Sequence, residues 1–135
     1  MKEWTIPSVD GQEKVVAGDM EKIIAPLVGS EFQLNEMITA VTEACLNAME
    51  HGNGMKPRAA VKVQLQSSPS AFIVTTFDEG NGFLPTAMEE QRNIWNNEEH
   101  TRGWGLYFMR SFSDQLQTGW ENGRFFVQMH FLKEK

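Results

Sequence analysis

The sequence has one cysteine, Cys45, so no internal disulfide is open to it. A lone cysteine among apolar neighbours gives no sign of an oxidising compartment and reads as a small core residue. Cations are scarce as well: 12 Lys and Arg stand against 18 Asp and Glu, for a net charge of −6, and no basic cluster offsets it locally. Such a chain repels nucleic-acid backbones, which argues against DNA or RNA binding and brings small-molecule or protein partners forward. No apolar run approaches the ~20 residues of a membrane span. The opening residues also lack the basic-then-apolar build of a signal peptide. A cytoplasmic protein that binds no membrane is expected. Internal repeats and low-complexity tracts are missing too. What the 135 residues allow is one domain over 1–135. A chain of this size buries roughly two-thirds of its extended surface, so a single core holds it without metal or disulfide.

Local pattern divides the chain. Trp4, Ile6 and Val9 with Pro7 between them predict a short edge strand. Apolar residues at helical spacing from Val16 to Leu27 predict a helix over about 12–28, stopped by Pro26 and Gly29. The next helix is clearer: Leu34, Met37, Ile38, Val41, Ala44, Cys45, Ala48 and Met49 form one stripe, with Glu36, Glu43, Asn47 and Glu50 opposite. Ser30 caps it, and Gly52 and Gly54 end it near His51. Residues 60–66 and 71–77 read as adjacent antiparallel strands, followed by the glycine-rich segment DEGNGF. The polar stretch 84–102 is long for a connection and reads as a functional lid. A helix over 106–112 and strands over 115–120 and 124–132 follow, the last two joined at Asn122-Gly123, a strong hairpin signal.

Three places carry candidate chemistry. Glu43 and Asn47 are four apart, on one helical face where both can approach one ligand. Taken alone they read as the solvated side of a surface helix. The functional alternative gives Asn47 a carbonyl oxygen for Mg²⁺, a hard cation that keeps waters and nucleotide phosphates in its shell. Glu43, one turn earlier, would then take a proton from an attacking hydroxyl. Asp78-Glu79-Gly80-Asn81-Gly82 after a strand is by itself a turn. Its alternative has Asp78 accept a hydrogen bond from a ligand amine while the glycines let the ligand approach the backbone. Gly103-Trp104-Gly105 before a helix is either a common glycine pair or an anion site, with Arg102 beside it as a fork-shaped cation for phosphate oxygens. Trp104 is expected in the core. His100 and His130 have no second His or Cys at metal spacing and read as a lid residue and a strand residue, and His51 is assigned no chemistry.

Together, in the order EACLNAMEHGN at 43–53, DEGNGF at 78–83 and RGWGLYFMRSFSD at 102–114, these segments resemble the N, G1 and G2 boxes of the GHKL ATP-binding superfamily. The short single-domain build and the EAxxNAxxHGN wording are most similar to the bacterial anti-sigma-factor serine/threonine kinases. The resemblance implies the Bergerat fold: α+β, a two-layer sandwich whose mixed, mainly antiparallel sheet carries helices on one face. The order of helices before strands and the terminal hairpin favour that form independently. The resemblance also implies ATP and Mg²⁺ as cofactors, with Glu43 as general base and Asn47 as metal ligand. By the same likeness, Asp78 holds the adenine amino group, Gly80 and Gly82 shape the pocket, Gly103 and Gly105 cradle phosphates, and Arg102 lies near the γ-phosphate. The implied partners are a small anti-anti-sigma protein of STAS type, phosphorylated on Ser or Thr, a sigma factor held by the free form, and a second copy in a homodimer. The chain departs from the family at Ala17-Gly18, where many members carry arginine, and at Thr101, where glycine is common. A nucleotide-dependent switch that changes partners without phosphorylating is the alternative, and an intact Glu43 speaks against it.

Overall fold

Alternation of apolar and polar residues in the last strand puts Phe125, Val127, Met129 and Phe131 on one side, and that side is buried. The computed structural model of the chain, which describes residues 1–80 and 104–134, builds its core from that face. In chain order the elements are β1 (Lys2–Pro7), α1 (Glu13–Ile24), α2 (Glu31–Asn47), β2 (Ala60–Ser67), β3 (Ala71–Asp78), α3 (Gly105–Phe112), β4 (Gln115–Glu121) and β5 (Arg124–Leu132). The strands form one five-stranded sheet in the order β1-β2-β3-β5-β4, antiparallel at each of these pairings. Register aligns Trp4, Val63, Thr76 and Val127 in one row across the sheet, so the apolar positions of successive strands share a face.

The helices cover that face. Val16, Met20 and Ile24 of α1, Met37, Val41, Ala44 and Cys45 of α2, and Leu106 and Met109 of α3 join the strand residues in a single core. Ser30 caps α2 as expected, its Oγ accepting from Gln33 N at 3.2 Å. At the start of α1 the work is done by Glu13, whose Oε1 accepts from Gly11 N at 2.8 Å. Trp4 Nε1 donates to Asp19 Oδ2 at 3.0 Å and fastens α1 to β1. The first helix is shorter than its pattern suggests: the α form stops at Ile24, and Ala25–Leu27 continue as a 3₁₀ turn around Pro26. At the hairpin, Asn122 and Gly123 both have positive φ, 53° and 78°, the pair a tight primed turn requires. Among the described residues no helix is long and apolar enough to cross a membrane. The expected lid over 84–102 lies outside the described residues.

Two features of this layout position the candidate residues. Because β3 is the middle strand, it is covered by neighbours along its length, and its last residue, Asp78, is buried although it ends the strand. Helix α3 packs on α2, so residues far apart in sequence meet at the end of α2.

Candidate functional site

The helical face that reads as solvated when taken alone is covered at Asn47. Asn47 is 0% exposed and Glu43 is half-buried. Gly105, the first residue of α3, explains why. A Cβ built there would lie 2.8 Å from Glu43 Oε2 and 2.9 Å from Asn47 Nδ2. Gly105 therefore rests on the ends of both side chains, and a residue with a side chain there would have to displace them. Neither Asn47 Nδ2 nor Asn47 Oδ1 has a hydrogen-bond partner among the described residues. Buried amides are nearly always satisfied, so one left open beside a carboxylate and a glycine fits a residue that ligates something the chain does not itself provide.

After Asn47 the helix does not simply end. Residues Ala48–Gly52 form a π turn, in which Asn53 N donates to Ala48 O at 2.9 Å. The widened turn carries Gly52 to the end of β3, where a Cβ on it would fall 2.2 Å from Asp78 Oδ2. Asp78 is 1% exposed, and its Oδ1 accepts from Gly80 N at 3.0 Å. Burial pushes its carboxyl up to about 6, with the Gly80 hydrogen bond pulling the other way. It is mostly ionised at neutral pH and accepts hydrogen bonds only.

A hollow of about 400 Å³ is lined by His51, Gly52, Lys56, Glu79 and Gly80 among others, with Asp78 itself not in its lining. Two further hollows, of about 490 and 350 Å³, lie around Phe77 on the sheet face away from the helices and hold none of the candidate residues. Among the described residues no group of three or more His, Cys, Asp or Glu could hold a metal. Cys45 is buried, and burial together with the nearby Glu13 charge pushes its thiol up to about 12, so it is a packing residue and not a nucleophile.

Of the sequence-derived candidates, Glu43, Asn47 and Gly105 are brought into contact, and Asp78 and Gly80 stand together at the far end of the π turn. Gly82, Arg102 and Gly103, with Asn81, lie outside the described residues. Trp104 corrects an expectation: it is 37% exposed and meets Tyr107 edge-on at 5.8 Å, because it sits just ahead of α3 on the side away from Leu106 and Met109. Gly52 and Asn53 are additions. The sequence marks Gly52 only as a helix end, whereas its real constraint is the approach of Asp78. Asn53 shows no pattern beyond closing its box.

Residues 16–131 match the model of the histidine kinase-like ATPase domain family. The chain is 28% identical over 116 residues to the anti-sigma F factor of Halalkalibacterium halodurans, covering 83% of this chain and 80% of that protein. It is 26% identical over 117 residues to the anti-sigma F factor of Geobacillus kaustophilus, with the same shares of 83% and 80%. Its fold matches the structure of the RsbU and RsbW domains of Rv1364c from Mycobacterium tuberculosis with a TM-score of 0.63 at 13% identity, covering 100% of this chain and 34% of that one. It also matches the catalytic domain of histidine kinase ThkA with a TM-score of 0.57 at 12% identity, covering 98% of this chain and 97% of that one. At such identities the two structural likenesses speak to the fold.

Proposed function

The chain belongs to the histidine kinase-like ATPase domain family, and from that premise we propose that it is an ATP-dependent protein serine/threonine kinase of the anti-sigma type. Its substrate would be a Ser or Thr on a small STAS-type anti-anti-sigma protein, and its second partner a sigma factor held by the free form, both in the cytoplasm. The likeness to two anti-sigma F factors supports this choice within the family. The observation that carries it is the buried amide of Asn47, without a partner among the described residues, one helical turn from Glu43 and against Gly105.

In this reading Asp78 accepts a hydrogen bond from the adenine amino group, and Gly80, packed against Gly52, donates its N–H to the same carboxylate. Asn47 offers its carbonyl oxygen to Mg²⁺, which needs few protein ligands because it retains waters and phosphate oxygens. When bound, the cation neutralises charge on the transferred phosphoryl group. Gly105 leaves backbone at the head of α3 open to phosphate oxygens, where the helix dipole favours negative charge. Glu43 takes the proton of the acceptor hydroxyl. Arg102, Gly103 and Gly82 would complete the site from the segment between β3 and α3. The test is transfer of γ-labelled phosphate from ATP to a STAS-type protein drawn from the same cytoplasm. Label on Ser or Thr supports the proposal, and ATP binding without transfer to any captured partner contradicts it.

A further inference from the structure

Asn53 follows the π turn and is 4% exposed. Its amide is bonded on every side: Oδ1 accepts from Glu79 N at 2.7 Å, and Nδ2 donates to Ser8 Oγ and to Ala60 O, each at 3.0 Å. These partners fix its orientation, since the Glu79 N–H can only donate and the Ala60 carbonyl can only accept. Ser8 Oγ in turn donates to Ala59 O at 2.7 Å. The Glu79 carboxylate accepts from Ala60 N and faces Arg124 at 4.0 Å. One side chain thus ties the residue after β1 and the start of β2 to the peptide joining Asp78 to Glu79.

That peptide is the lever. The Asp78 carbonyl and the Glu79 N–H share one rigid plane, so holding the N–H fixes the backbone from which the Asp78 carboxylate is aimed. The main chain of Asn53 is anchored at the opposite end of the site, where its N–H donates to Ala48 O, directly after Asn47. It therefore links the helix that carries Glu43 and Asn47 to the strand end that carries Asp78.

We propose that Asn53 is a positioning residue for nucleobase selection, setting through Glu79 N the point at which the Asp78 carboxylate meets the base. This rests on Asp78 holding the base, as argued above. Because the same bonds also serve stability, the test reads selectivity. ATP and GTP are titrated against the parent, Asn53→Ala, Asn53→Gln and Ser8→Ala, with melting temperatures measured on the same samples. Asn53→Gln keeps the amide but shifts it one methylene out of register, and it decides the matter if the alanine variant unfolds. Ser8→Ala removes one acceptor of Nδ2 and leaves the bond to Glu79 N. Both Asn53 variants are expected to lose roughly tenfold in ATP affinity, the scale of one weakened buried hydrogen bond. Their ATP-over-GTP preference falls toward unity, while Ser8→Ala keeps the parent's preference despite a lower melting temperature. An unchanged preference in the folded Asn53 variants overturns the proposal and leaves Asn53 a structural fastener. A parent without ATP preference, whose Asp78→Asn variant binds ATP equally well, overturns the reading of Asp78 and the proposal with it.

Discussion

A Cβ built on Gly80 falls 1.3 Å from the backbone oxygen of Gly52. The π turn after α2 and the end of β3 therefore touch backbone to backbone, and Asp78 is held at that seam. Gly80→Ala has to push the two apart. Overpacking of this kind costs about 1–3 kcal/mol, and ATP binding is lost with the displaced Asp78. Gly52→Ala meets Asp78 Oδ2, Cγ and Cβ at 2.2, 2.3 and 2.7 Å, and because that residue is buried the fold is destabilised here too while ATP affinity falls. Melting curves and nucleotide titration check both. A Gly80→Ala protein that melts and binds ATP like the parent contradicts the contact.

Asp78 gives opposite pH profiles to fold and function. Its carboxyl stands at about 6 folded against an ordinary 3.8. Between those values the folded chain binds more protons than the unfolded one, so the free protein loses stability as pH rises through that window and is level above it. ATP binding runs the other way, because the ionised form is the better acceptor for an amino group. Asp78→Asn flattens both profiles and raises the melting temperature of the nucleotide-free protein at neutral pH. It also weakens the preference for ATP over GTP, whose base presents a carbonyl oxygen where adenine presents an amine. ATP affinity that does not change across pH 6 contradicts the assignment.

Asn47→Ala should behave unlike most truncations of buried residues. It deletes two unsatisfied polar atoms, each of which costs roughly 1–3 kcal/mol when buried without a partner. That gain offsets the cavity left behind, so the melting temperature stays near the parent's while Mg²⁺-dependent ATP binding weakens. Calorimetric titration with and without Mg²⁺ distinguishes the cases. Unchanged Mg-ATP affinity places the metal ligand elsewhere.

Gly18 stands mid-helix in α1 with nothing within 4 Å of a Cβ built on it. Gly18→Ala therefore stabilises the chain by about 0.5–1 kcal/mol, the cost of glycine in a helix interior. Thermal melting reads this as a rise of a few degrees, and a fall contradicts the open position of Gly18.

Much of the fold was legible because its signals are local. Ser30 as a cap, the apolar stripe from Met37 to Met49, and Asn122-Gly123 as a turn each depend on neighbours a few residues away. Burial of Asn47 was not legible, since the polar side of α2 is covered by α3, which arrives far along the chain. Trp104 misled for the related reason that hydrophobic bulk does not say which side of a helix start it occupies. The π turn and the Asn53 bonds follow from three segments meeting at the end of β3, and no periodicity encodes that meeting. Of the candidate residues singled out by their order and spacing, Glu43, Asn47 and Gly105 converge, a meeting that the spacing within α2 and the start of α3 allows.

The most direct measurement of the central claim is phosphoryl transfer by Glu43→Gln. The substitution keeps size and hydrogen-bonding capacity but cannot take a proton, and Glu43 lies one turn from Asn47 with its Oε2 against Gly105. Parent and variant are compared for ATP binding and for transfer of γ-labelled phosphate to the captured STAS-type partner. The account predicts near-normal ATP binding with transfer reduced roughly 10²-fold or more, the scale for loss of a general base. Equal transfer by both proteins, or none by the parent, contradicts it.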